Sequence, residues 1–390
     1  MQLKWLSSLT QVTAQQWDML FINNTPHAYP FCRHAFLLAL EQGGSVDSVH
    51  RTSKHNRGWY SQHLTLWQDN ILLAAVPGYI KSHSYGEYLF DWLIAEAYQQ
   101  HKLAYYPKWI AAIPFTPATG PRLGLLSADL ADSLLPLVCA AIKQRVAAND
   151  FCSAQWLYTT APLQHNLTEQ GFLARHDVQF LWQNSGYKQF DDFLQQLNAR
   201  KRKQIRHERQ TNGFSIKTLH GNELSAVHWQ AVIRCYQATY LKRSGHHGYI
   251  SPQSFIALAE TMADSIVVFA AFSGETEQDI VAAALCFKSA DTLYGRYWGT
   301  LIDAEHLHFE LCYYQGIEYC IKHGLRYFDA GAQGEHKLKR GFEPVMRYGS
   351  YLFADTPLSG AITAYFQQET EHLKAYSTQA MQALPYKKSS

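Results

Sequence analysis

The sequence predicts a mixed α/β (α+β) protein made of two similarly organised halves. Three observations predict it. The length of 390 residues corresponds to two or three domains at roughly 150 residues each. Each half runs through strands, a long helix and a further strand, the order of a layered α/β domain. The third is a faint internal repeat: LLAAVPGYIKS at Leu72–Ser82 recurs as VAAALCFKS at Val281–Ser289. A Tyr/Gly-rich segment ending in Trp follows each copy, Tyr85–Trp92 in one and Leu293–Trp298 in the other. The match needs gaps, so true duplication and chance likeness of two apolar strands both stand.

The first half, 1–183, opens with helical stretches at Gln15–Leu20 and Phe31–Glu41. Strands are expected at Gln62–Gln68 and at Ile71–Ser82, the latter broken by Pro77-Gly78, and at the proline-bounded Pro107–Pro117. Apolar Leu134, Leu135, Val138 and Ala141 recur at helical spacing and mark Ala128–Asn149 as a long helix. A strand at Ala154–Thr160 and a short helix at Leu163–Gln170, stopped by Gly171, complete this half. The second half, 184–390, begins with a basic helix over 187–211, then helices at Ser225–Thr239 and Pro252–Thr261. Strands follow at Ile266–Phe272, Ile280–Lys288 and Thr292–Trp298, with a polar turn at Ser273–Asp279. A helix over Glu305–His323 ends at Gly324, and Arg326–Asp329 is the strand after it.

Composition narrows the function classes. Apolar residues make up 47%, too many for a disordered chain, and charged residues only 17% against a usual share of about 25%. Tyr, Phe and Trp (24, 20 and 10) give amphipathic rings suited to stacking on bases, sugars or peptides. Net charge is +2, from 34 basic and 32 acidic residues, so the whole chain is no polyelectrolyte and any nucleic-acid contact needs a local basic patch. The 19 histidines add positive charge below pH about 6. Seven cysteines, none spaced C-x-x-C, argue against a disulfide framework or a zinc ribbon. The N-terminus lacks a signal-peptide core, and no run of about 18 apolar residues exists to span a membrane. The expectation is a soluble, cytoplasmic protein with no membrane span.

Five motifs occur together in order: PFTPATGPRLG at Pro114–Gly124, RKRKQIRHER at Arg200–Arg209, YGRYWG at Tyr294–Gly299, HLHFELCYYQGIEYCI at His306–Ile321 and FDAGAQGEHKLKRGFEP at Phe328–Pro344. Together they resemble a bacterial family of peptidoglycan biosynthesis/recognition proteins. That family lies in the GNAT acyltransferase superfamily and is similar to the Fem-type transferases. The resemblance implies tandem GNAT-like domains and transfer of an acyl or aminoacyl group to an amine. In Fem-type enzymes the donor is aminoacyl-tRNA and the acceptor a UDP-linked muropeptide; in ordinary GNAT enzymes the donor is acetyl-CoA. No tightly bound cofactor is implied: acyl-CoA or aminoacyl-tRNA would be co-substrate, and a muropeptide or other anionic molecule the partner.

Each motif carries a structural alternative. A pyrophosphate cradle needs backbone N–H groups at a helix start and small residues beside them. Gly120, Arg122 and Gly124 offer two glycines and a cation but also read as a tight turn; in the second half, Thr300–Glu305 has no glycine and two acids. Arg200, Lys201, Arg202, Lys203, Arg206 and Arg209 face a single Glu208, and Arg202, Arg206 and Arg209 share a helical face. That is either a site for phosphate, UDP or tRNA backbone or a solvated helix. Acyl transfer to an amine needs a base and donors for the oxyanion. Asp329, Glu335 and His336, after a strand, are base candidates, with His308 and Glu310 at the helix start beside them. Lys337 and Arg340 read as anion or oxyanion contacts, Tyr313 and Gln315 as substrate contacts further along that helix. On the strand, Arg296 and Trp298 point the same way and can stack on a base or sugar, or belong to the core. His306-x-x-x-Glu310 is not H-E-x-x-H, and no metal is expected. Two rivals remain: acyl-CoA-dependent acylation of an unrelated amine, and a recognition protein without catalysis.

Overall fold

The computed structural model describes residues 1–22, 29–47, 57–210, 213–274, 279–332 and 334–387. They form two compact units, Met1–Val178 with Met346–Ala375, and Gln179–Val345 with Tyr376–Ser390. The single division at 183/184 is therefore revised, because a strand and most of the last helix return to the first unit.

In the first unit, β1 (Gln2–Leu6), α1 (Ala14–Ile22), α2 (His34–Gln42), β2 (Trp59–Ser61), β3 (His63–Gln68), β4 (Ile71–Val76) and β5 (Gly78–Lys81) come first. Then come α3 (Trp92–Gln100), β6 (Lys108–Ala111), β7 (Gly124–Leu125), α4 (Ala131–Ala147), β8 (Ser153–Thr159) and α5 (Ala161–Glu169). Strands β1-β3-β4-β7 make one sheet, while β2, β5 and β6 pair antiparallel and β6 runs parallel to β8. The helical spacing read for α4 holds: Leu134, Leu135, Val138, Cys139, Ile142 and Val146 pack on Trp109, Ala111, Ala154 and Trp156. Pro107–Pro117 is a strand only as far as Ala111. Tyr85–Trp92 is no strand either: it is a loop that leads into α3.

The second unit takes the end of β9 (Leu173–Gln183), then α6 (Phe190–Gln196), α7 (Ala199–Glu208), β10 (Ser215–His220), α8 (Ala226–Ser244), α9 (Pro252–Thr261), β11 (Ile266–Phe272), β12 (Ile280–Lys288) and β13 (Thr292–Thr300). The next helix begins as α10 (Leu307–Phe309), passes through a π turn at Glu310–Tyr314 and continues as α11 (Gln315–His323), before β14 (Tyr327–Asp329). Strands β10 to β13 form an antiparallel meander, β14 lies parallel beside β13, and β9 closes antiparallel on β14. The polar turn read at Ser273–Asp279 falls partly, at 275–278, outside the described residues.

Finally β15 (Glu343–Phe353) pairs through Tyr348–Phe353 with β8, and α12 (Ser359–Gln382) ends the regular structure. Both units thus share an antiparallel pair, a helix and a parallel strand: β5-β6-α4-β8 in one, β12-β13-α11-β14 in the other. The counterpart of β13 is accordingly β6, not the Tyr85–Trp92 segment that the sequence repeat aligned with it.

The basic helix predicted over 187–211 is two helices. Leu197 is extended (ψ 156°) and buried, and the Asn198 side chain accepts from Lys201 N at 3.0 Å, capping α7. The last residue of the predicted span, 211, lies outside the described residues.

Candidate functional site

The candidate residues of the second unit gather where β13 outruns its parallel neighbour. The β13–β14 ladder covers only Thr292–Tyr294 against Tyr327–Asp329, while β13 continues to Thr300. Arg296 and Trp298 lie on that extension, and the loop after Asp329 feeds the 3-10 turn Glu335–Arg340.

His336, Tyr313 and His308 meet there. Tyr313 Oη lies 2.7 Å from His336 Nε2, and the His308 ring packs on Tyr313 and Trp298 at 5.4 and 5.2 Å. The π turn adds one residue to a helical repeat, and it carries Tyr313 and Tyr314, both buried, side by side. Burial first, then the nearby Arg340, Lys337 and Lys339, hold His336 below its ordinary pKa. Burial and then His336, Arg243, Arg340 and Lys337 push His308 down to about 4. Burial raises Tyr313 above its usual range. At neutral pH the phenol therefore keeps its proton and the imidazole beside it is neutral.

The cations beside this group are mostly buried. Arg340 stacks 3.6 Å over Phe309, donates to Tyr314 Oη (2.9 Å), to His336 O (3.0 Å) and to Glu208 Oε2 (2.7 Å). Tyr314 also donates to Glu208, and Lys337, buried, donates to Gly331 O. These two cations set the local potential from inside rather than offering exposed anion contacts, so of the two roles read for them the geometry speaks against the first alone.

Other assignments change similarly. Asp329 is buried and accepts from Arg296 Nη2 (3.2 Å) and Gly331 N (3.0 Å), so it is a counter-ion and turn former. Glu310 is buried and accepts from Arg209 Nε (3.1 Å), Arg209 Nη2 (3.0 Å) and Gln315 Nε2 (2.7 Å). It is the inward counter-ion of the basic helix, and Gln315 belongs to that network. Glu335 points away, exposed, and accepts from Tyr376 Oη at 2.8 Å. Arg296 is engaged by Asp329; Trp298 stays at the edge of the histidine cluster.

On α7, Arg200, Lys203 and Arg206 are exposed, the last 3.5 Å from Asp191. Lys201 donates to Gln204 (2.7 Å), and burial followed by Arg340 lowers its pKa. Arg202 caps the Leu197 carbonyl at 2.6 Å. Arg209 does not share the solvent face: it turns inward to Glu310 and Glu318 (2.6 Å). The sequence reading missed Glu208 and Tyr314 as partners of Arg340. The signal available was one acid, Glu208, kept among six cations.

In the first unit, Arg122 is fully buried and donates to Leu157 O (2.9 Å), Ala118 O (2.8 Å) and Pro121 O (3.2 Å). Gly120 N donates to Tyr158 O (3.2 Å), and a Cβ at Gly120 or Gly124 would strike Tyr29 or Phe21. The glycines admit protein rings, and the cation serves carbonyls, so this geometry is a structural turn and not a pyrophosphate cradle. All seven cysteines are free. Among the described residues no three His, Cys, Asp or Glu side chains are grouped to hold a metal, and no helix is long and apolar enough to cross a membrane.

The model of the FemAB-like family, described as peptidoglycan biosynthesis/recognition, matches residues 8–388. No curated protein matches the sequence. Among solved structures, FemX superposes with a TM-score of 0.53 at 10% identity, covering 93% of this chain and 100% of its own. A conserved protein of unknown function from Bacteroides thetaiotaomicron VPI-5482 gives 0.50 at 11% identity, covering 90% and 100%. A tandem GNAT protein from the clavulanic acid biosynthesis pathway gives 0.42 at 10%, covering 91% and 99%. The fold is thus shared with FemX, and with a family model spanning nearly all of its length the chain belongs to the FemAB-like peptidoglycan biosynthesis/recognition family.

Proposed function

We propose that the second unit transfers an acyl or aminoacyl group to an amine of an anionic, peptidoglycan-precursor-like acceptor, with aminoacyl-tRNA or an acyl-CoA as donor. The observation that carries this reading is the Tyr313–His336 hydrogen bond inside a cation-rich cluster. As the amine nitrogen attacks the acyl carbon, its proton passes to Tyr313 Oη while the phenol proton moves to His336 Nε2. The C–N bond forms, the bond to the donor's oxygen or sulfur breaks, and the imidazolium returns its proton to the leaving group. The developing oxyanion lies in the field of Lys337 and Arg340. Exposed Arg200, Lys203 and Arg206 supply an outer surface for phosphates. A nucleotide-linked acceptor or a tRNA donor is met in the cytoplasm, the compartment this reading requires.

The recognition reading has its own support: Asp329 is held in an ion pair and Glu335 is exposed, so neither stands ready as a base. One panel separates the readings. Ligands that bind only the folded state raise its melting temperature. Purified protein is melted with acetyl-CoA, longer acyl-CoAs, UDP-linked muropeptide and bulk tRNA. A shift with muropeptide or tRNA that is lost in Lys203→Ala/Arg206→Ala, both exposed on α7, supports the proposal. A shift with CoA esters alone moves the reaction to another amine. Muropeptide binding with no transfer from any donor leaves recognition.

A further inference from the structure

The turn Glu335–Arg340 carries His336 between two glycine hinges. Gly334 before it and Gly341 after it have φ of 112° and 82°, a region that side chains strain to enter. A 3-10 turn of six residues is longer than most, and its own hydrogen bonds are poorly aligned. Its place is therefore set by what grips it from outside. On the buried side Arg340 reaches Glu208 and Tyr314, and Lys337 reaches Gly331 O. These bonds leave Glu335 and the Gly341 carbonyl to other partners.

Those partners come from the end of the chain. Tyr376, near the end of α12, donates to Glu335 Oε1 at 2.8 Å. Beyond α12 the chain pairs with the junction of α6 and α7. Asn198 N donates to Pro385 O (2.9 Å) and Lys387 N to Gln196 O (2.8 Å), around an antiparallel bridge of Leu197 with Tyr386. Leu197 is fully buried, so this anchor is itself fixed. From it Tyr386 Oη donates to Gly341 O at 2.8 Å, and its ring packs on the core of the second unit. The fit is close: a Cβ at Gly341 would come within 2.9 Å of Tyr386 Oη and 3.1 Å of Phe193. Burial raises the pKa of both phenols, with Glu335 adding to it at Tyr376, so each remains a donor at neutral pH.

We propose that Tyr376 and Tyr386 are positioning residues: from the C-terminal segment their hydroxyls hold the two ends of the turn Glu335–Gly341 and so keep His336 Nε2 on Tyr313 Oη. This rests on the acyl-transfer reading only where it takes His336 as the base.

The test is Tyr376→Phe/Tyr386→Phe in the full chain, which removes both hydroxyls and keeps both rings. A single hydrogen bond adds only modestly to stability, so the fold survives. The first readout is the titration of the His336 imidazole by NMR, its signals assigned against His336→Gln. In the parent, burial and then Arg340, Lys337 and Lys339 hold this group below 6.5, with Tyr313 and His308 facing it from the helix. In the variant the midpoint should move up towards 6.5 as the loosened turn admits water. The second readout is transfer, whose rate should fall at least about tenfold at unchanged acceptor KM, since misplacement by about 1 Å is costly. A segment that merely packs would lower the melting temperature and leave the titration alone, so an unmoved midpoint overturns the proposal. A midpoint that moves while the rate of transfer is kept overturns it too. If the midpoint moves in a protein that transfers nothing from any donor, the grip on the turn stands and the reading of His336 as the base falls.

Discussion

At the scale of single residues, the chemistry proposed for the second unit rests on two protons and where they sit. Tyr313 keeps its proton because burial disfavours phenolate, and His336 stays neutral because burial and three cations disfavour imidazolium. His336→Gln should lower the transfer rate by about 10²–10⁴ with little change in acceptor affinity, and Tyr313→Phe should act in the same direction. Single-turnover transfer with saturating acceptor reads this; a variant as fast as the parent removes the dyad from the mechanism. The pH profile tests the same point. A base is lost as pH falls through its pKa, and this one lies below the ordinary value of 6.5. The acid limb should therefore appear below pH 6.5, and a limb above it would contradict a depressed imidazole. The sequence made His336 and Tyr313 legible as candidates, one for each role. It could not show that Asp329 is held by Arg296, or Glu310 by Arg209 across 101 residues, because such pairings are set by the fold rather than by spacing.

At the scale of elements, α7 is fastened by buried charge and displays exposed charge, and the two should behave differently on substitution. Glu208, facing in, accepts from Arg340 and Tyr314; Arg206, facing out, lies near the exposed Asp191. Removing one partner of a buried pair strands the other, so Arg340→Met should cost about 3–5 kcal/mol of stability. Arg206→Ala should cost no more than about 0.5 kcal/mol. Urea unfolding of both variants checks the contrast; equal effects would mean that α7 is not anchored through Glu208. Element boundaries were legible where local rules act alone. Helices α4 and α9 and strands β11 and β12 follow their apolar patterns closely. The break before Asn198 had a sequence signal, a side chain suited to capping, that the run of cations masked. The π turn at Glu310–Tyr314 had none, since an inserted residue leaves the apolar stripe readable on either side.

At the scale of the whole molecule, the chain order and the unit order differ, and that difference has a consequence for folding. The division that the sequence suggests leaves residues 346–375 with the wrong half, although they belong to the first unit. Strand β8 is buried along its entire length and pairs with β6 on one side and with Tyr348–Phe353 of β15 on the other. A fragment ending at residue 183 lacks that second partner and exposes a long apolar edge, the arrangement that aggregates. It also loses Glu369, whose carboxylate pairs with Arg175 at 2.9 Å. Burial of Arg175 without that carboxylate leaves a charge uncompensated. A fragment of residues 184–390 carries β15 and most of α12 without the unit they complete. Expressed alone, residues 1–183 should be insoluble or lack a cooperative thermal transition. A circularly permuted chain that joins 346–375 directly after 178 should restore cooperative melting to the first unit. A cooperative transition in 1–183 alone would show that the returning segment decorates the unit rather than completes it. The sequence could not reveal this, because pairing between β8 and β15 spans nearly 190 residues and neither strand specifies its partner locally.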